Sequence, residues 1–120
     1  VSFETHNTSR FPIRVGQATF DYVILVADYN TICKYFGQPL DSDGHKIDAQ
    51  WIIRFANGDI ATIYNYKNGK AYLGESGPDV SKNKVWHIDG SSEESISRVK
   101  TLLSDPWPVF DEIRQAAILN

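Results

Sequence analysis

Four lysines, Lys67, Lys70, Lys82 and Lys84, surround one stretch rich in Gly, Asn and Ser, with Tyr72 and Trp86 near its ends. Ammonium groups beside aromatic rings suit anion capture: the charge holds a phosphate or carboxylate, and a ring stacks on a planar group. Arg54 and Asn65 lie in the strand-like runs just before it and add a second type of cation and an amide. Arg54, Asn65, Lys67, Lys70, Tyr72 and Trp86 are therefore the expected ligand- or partner-binding residues. Asp41 and Asp43 in "DSDGH" are an acidic pair of the kind that opens a calcium loop, but the third acid and the closing Glu are missing. His45, Asp48 and His87 could share a metal only if their segments met, because no paired spacing links them. No metal or cofactor is expected. The chain has no P-loop, no dinucleotide-binding glycine pattern and no nucleophile elbow.

Bulk composition narrows the classes. The chain has 120 residues, 42% apolar and 22% charged, with a formal net charge of -3. That is enough apolar material for one core. The charge argues against general nucleic-acid binding, which needs concentrated Lys and Arg. A single cysteine, Cys33, excludes an internal disulfide and is expected as a small core residue in a reducing, cytoplasmic setting. No apolar run reaches the roughly 20 residues of a membrane helix. The chain starts at Val1 and has no Met, as expected of a trimmed start.

The elements that must position these residues follow from periodicity. Residues 1–9 are polar and aperiodic and read as a flexible arm, leaving 10–120 as one domain. "RFPIRVGQATFDYVILVA" reads as a hairpin turning at Gly16-Gln17, its first strand carrying Phe11, Ile13 and Val15. "DYNTICKYFGQP" reads as a helix capped by Asp28 and stopped by Gly37, with Ile32, Tyr35 and Phe36 as its apolar stripe. Asn57-Gly58 predicts a second hairpin. A two-residue loop pairs Trp51 with Tyr64 and Asp48 with Lys67. Trp51, Ile53, Phe55, Ile60, Thr62, Tyr64 and Tyr66 then form the core face. Gln50, Ile52, Arg54, Ile63 and Asn65 form a mixed face. A short strand is expected at 71–73 and another at "VWHID". "SSEESISRVKTLLS" reads as a helix boxed by Ser91 and Glu94, and 105–120 as a last helix. The order β-β-α-β-β-β-α-α predicts an α+β fold, with an antiparallel sheet of about five strands and helices packed on one face.

Two resemblances bear on function. Ile63-Tyr64, Asn68-Gly69-Lys70 and Tyr72-Leu73-Gly74 resemble the first motif of the GIY-YIG nucleases. That resemblance implies metal-dependent hydrolysis, with Tyr64 and Tyr72 supporting a water, Arg98 on the phosphate and Glu112 on the metal. The chain departs from the family in three respects. Thr62 replaces the leading Gly, the gap between the tyrosines is short, and the two-residue turn would bury Tyr64. The wider stretch "DAQWIIRFANGDIATIYNYKNGKAYLGESG…VWHIDG" resembles small uncharacterised proteins of bacteriophages and large DNA viruses, which implies a viral origin and a host-cytosolic setting. The leading expectation is a non-enzymatic interaction module, a phage or viral protein that binds a host protein or a small anionic or nucleotide ligand. Its mixed face would also suit a homodimer interface. The alternative is the nuclease.

Overall fold

The computed structural model describes residues 2–15 and 20–104. Five strands form one antiparallel sheet: β1 (Phe3–Thr5), β2 (Phe20–Val26), β3 (Gln50–Phe55), β4 (Ile60–Tyr64) and β5 (Val85–Gly90), in the spatial order β1-β3-β4-β5-β2. Helices α1 (Tyr29–Phe36) and α3 (Glu93–Ser104) cover one face. A single helical turn, α2 (Lys70–Leu73), lies in the β4–β5 connection. The expected α+β fold, with its antiparallel sheet, is the fold observed. No helix among the described residues is long and apolar enough to cross a membrane.

The core lies between sheet and helices. Trp51, Ile53 and Phe55 of β3, Ala61 and Ile63 of β4, and Trp86 and Ile88 of β5 meet Ile32 and Phe36 of α1 and Ile96 and Val99 of α3. The α1 stripe read from the sequence, Ile32, Tyr35 and Phe36, is the one that packs. The Trp51 and Trp86 rings meet edge to face, their centroids 5.3 Å apart. Trp51 Nε1 donates to Gly37 O (2.8 Å) and Trp86 Nε1 to Ala27 O (2.9 Å). Those carbonyls flank α1 on either side, so two buried indoles fasten both ends of the helix to the sheet.

Several expectations are corrected. The segment read as a flexible arm contains β1, which pairs Phe3 with Phe55 and Thr5 with Ile53. Phe3 supplies the apolar contact, packing edge-on against Phe36 and Phe55. Residues 11–15 are not a strand. Pro12 has no N–H to give to a ladder, and the β3 edge already holds β1. The Gly16-Gln17 turn and the last helix lie outside the described residues. Residues 71–73 are helical rather than extended, with Ala71 N donating to Asp48 Oδ1 (2.9 Å). The box that starts α3 is Ser92 with Ser95: Ser95 N donates to Ser92 Oγ (3.1 Å) and Ser92 N to Ser95 Oγ (3.4 Å). Ser91 instead extends the sheet, exchanging hydrogen bonds with the Ile60 backbone.

The main correction is one of register. The β3–β4 loop has three residues, not two. Gly58 N donates to Phe55 O (2.9 Å) and Phe55 N to Asp59 O (2.8 Å). Only Gly58 takes a positive φ (94°), whereas a type I′ turn needs two such residues. The loop is a type I turn closed by a left-handed glycine. Asn57 reinforces it, accepting the Asp59 N–H on its side chain (3.0 Å). Trp51 therefore pairs with Ile63, and Gln50 with Tyr64. A slip of one residue exchanges the faces of β4.

Candidate functional site

That slip builds the site. Ile60, Thr62 and Tyr64 point away from the helices, joining Gln50, Ile52 and Arg54 of β3. Ile63 and Asn65, expected on this face, are buried on the other. Strand β5 adds His87 and Asp89, which pair in register with Tyr64 and Thr62. Because β1 and β2 are the two edges of the sheet, the chain joining them must pass from one border to the other. It brings Val15 over this face, and Ile13 is buried outside the helix-side core.

The result is a cavity of about 390 Å³. Val15, Ile47 and Ile60 supply its apolar wall. Gln50, Thr62, Asp89 and Ser91 supply polar groups, and Tyr64 and Tyr66 supply rings. The volume is at the small end of the usual range for ligand sites, and the mix of apolar wall and few polar groups is typical of them. Tyr64 Oη donates to Asp89 Oδ2 (3.0 Å). Burial, reinforced by this bond to the Asp89 carboxylate, pushes the Tyr64 hydroxyl well above its ordinary pKa. It is a fixed donor and not a base.

An aromatic group continues from the cavity. Tyr22 stacks on His87 with centroids 4.1 Å apart. Tyr64 meets His87 edge-on at 5.4 Å, and Tyr66 lies 5.8 Å from it. Lys67 Nζ lies 5.2 Å from the centroid of Tyr66, a lining residue, and 5.3 Å from that of Tyr72. Lys67 is the one described non-glycine residue with a positive φ (61°). A long side chain held there costs of order 1 kcal/mol, and such conformations cluster at functional sites.

The other expected site residues separate. Arg54 sits at the turn end of the hairpin, with Nε donating to Glu4 Oε1 (2.8 Å), far from the Lys67 end. Lys70 pairs with Asp79 (3.3 Å). Trp86 is fully buried, so its ring cannot stack on a ligand. Asn65 is buried and structural. Its Oδ1 accepts Asp48 N (2.8 Å) and Ala49 N (3.1 Å), and its Nδ2 donates to Asp48 Oδ2 (2.7 Å). Lys67 and Tyr72 alone remain together as an exposed pair.

The nuclease constellation does not assemble among the described residues. Tyr64 is on the open face, whereas Arg98 lies over the Phe55 ring on the helix side (5.5 Å). Tyr72 is on α2, and Glu112 lies outside the described residues. No three His, Cys, Asp or Glu side chains gather to hold a metal among the described residues. Asp48 is occupied by Asn65 and Ala71, and His87 by its tyrosines, so these two do not converge with His45. Asp43 is the anchor of its own loop, with Oδ1 accepting the backbone N–H of His45, Lys46 and Ile47 at 2.8–3.0 Å.

Sequence reasoning passed over Thr62, Ile60 and Asp89 as site residues and gave Tyr64 a role only in the nuclease alternative. The alternation of His87 and Asp89 in β5 was legible. The face of β4 depended on the loop length, which Asn57-Gly58 leaves open between two and three residues. No family model matches this chain, and no curated protein sequence matches it.

Proposed function

We propose that this chain is a non-enzymatic binding module whose open-face cavity takes a small, planar, anionic ligand of the nucleotide type. The observation that carries the reading is the cavity, with the Lys67 cation against the ring of Tyr66, one of its lining residues. Its depth suits an uncharged ring: Tyr64 and Tyr66 offer faces or edges, while Asp89 and Gln50 offer acceptors for ring N–H groups. Asp89 would repel an anion at depth, so the anionic group belongs outside, at Lys67. The resemblance to phage and large-DNA-virus proteins supports a use in modulating a host process.

Calorimetry with mono- and dinucleotides tests this. A ligand at a hundred times its Kd should stabilise the fold by about 2.7 kcal/mol. Lys67→Gly removes the charge while relieving the backbone, so it should weaken binding at least tenfold without lowering Tm. Ile60→Trp should block the cavity. Absence of binding by any nucleotide, together with magnesium-dependent cleavage of DNA or RNA that Tyr64→Phe abolishes, would replace the binder with the catalyst.

A further inference from the structure

We propose that the free edge of β2 is the interface of a homodimer, in which two copies join antiparallel about Ile24 to form a continuous ten-stranded sheet. Strand β2 is seven residues long and ends the sheet, and no strand among the described residues pairs with its outer side. Its register with β5 shows which backbone groups point outward. Ala27 N donates to Lys84 O (3.0 Å), and the pairing runs on through Val26 with Val85 and Leu25 with Trp86. Hydrogen-bonded and non-hydrogen-bonded pairs alternate in an antiparallel ladder. Ala27 and Leu25 therefore bond inward to β5, and Val26 and Ile24 turn their N–H and C=O toward the free edge.

The same residues expose apolar side chains. Tyr22, Ile24 and Val26 are 52%, 47% and 75% exposed. Edge strands are normally protected by charge, proline, bulging or brevity. The opposite edge follows that rule: β1 has three residues and carries the Glu4–Arg54 ion pair. From Tyr22 to Val26, β2 has no charge and no proline, and its one register irregularity, between Phe20 and Val23, leaves the run from Val23 to Val26 regular.

A second copy fits this edge better than an arbitrary strand because the edge is complementary to itself. With the two-fold axis at Ile24, Ile24 faces its own copy as a hydrogen-bonded pair. Tyr22 faces Val26, an aromatic beside a β-branched residue, which is a favourable cross-strand combination. No like charges meet between these positions. Each exposed apolar residue gains a neighbour on the open face of the joined sheet, and the symmetry is the isologous one commonest in oligomers.

The geometry gives a residue-specific test on the 120-residue chain. In a Cys33→Ala background, Ile24→Cys places two thiols across the axis, with Cα atoms about 5.5 Å apart, within disulfide range. Val26→Cys leaves its thiols offset by four residues, about 14 Å along the strands, which is out of range. Mild oxidation should cross-link the first variant and not the second, and light scattering of the unmodified chain should give twice the monomer mass. Ile24→Lys should halve that mass while leaving the circular dichroism of the fold intact. A monomer at every concentration would overturn the proposal, whether the edge is then open or covered by the chain itself. So would a dimer in which Ile24→Cys does not cross-link, or in which Val26→Cys cross-links equally well.

Discussion

Asn65 sits where three segments meet. Its side chain holds the backbone of Asp48 and Ala49, the carboxylate of Asp48 and the Asn68 side chain (3.0 Å). Asp48 in turn caps α2, and the closely packed Gly69 leaves no room for a Cβ beside that carboxylate. Asn65→Ala strands two backbone donors, one of them buried, and should cost about 3 kcal/mol. Urea unfolding measures this, and a cost below about 1 kcal/mol would show that the network is dispensable. Tyr64 gives a spectroscopic prediction. Its ionisation is raised in the folded state, so its contribution to stability holds below the ordinary tyrosine range and fades as pH climbs through the raised value. In an alkaline titration followed by ultraviolet absorbance, Tyr64→Phe should reduce the late part of the curve, to which Tyr29, also raised by burial, still contributes. At this scale the sequence was informative about residue type but not about placement. Asn65 and Trp86 have the chemistry of ligand contacts and are buried. Burial depends on backbone partners 16 to 59 positions away, and no local pattern encodes those.

The elements themselves were largely legible. The stripes of α1 and α3 pack as their periodicity requires, and the Asn57-Gly58 hairpin exists. What failed was one loop residue, and it moved Tyr64 across the sheet. Asn-Gly suits a two-residue I′ turn, but it equally suits the last two positions of a three-residue loop, where only the glycine needs a positive φ. The chain selects the second form. There Asn57 helps to hold Asp59, and Ala56 N donates to Ser2 O (3.1 Å) beside the edge strand. Because Phe55 and Asp59 already pair, deleting Ala56 should convert the loop to the two-residue form without disturbing the register. The loss is one backbone bond, about 1 kcal/mol. The deletion variant should therefore keep the amide-exchange pattern of β3 and β4. A changed pattern would mean that the third loop residue itself sets the pairing. β1 escaped the sequence reading because three residues are too few to show an alternation, and its pairing with β3 is long-range.

Across the whole molecule, the hairpin turn and α3 are joined through one carboxylate. Asp59 Oδ2 accepts a hydrogen bond from Ser92 Oγ (2.7 Å) at the start of α3 and another from Asn57 Nδ2 (3.1 Å). The Ser92 hydroxyl is the main cause holding its pKa below the ordinary aspartate value. A depressed folded-state pKa adds stability above the unfolded-state value near 4, and that contribution disappears as pH falls through the folded value. Asp59→Asn should therefore lower Tm at pH 7, and the gap between the two proteins should narrow as pH falls below the unfolded-state value. A gap independent of pH would assign the effect to packing rather than to charge.

The wiring of the sheet also sets an order of events. Phe3 lies against Phe55, on the far border from the strand that follows it in the chain. A ribosome would deliver β1 before the other four described strands, yet its partner β3 would emerge some fifty residues later. The first of the described strands is thus among the last of them to be seated. Contacts so distant along the chain slow folding, and the Phe3 side of the sheet should gain its protection from solvent exchange after the central strands have theirs.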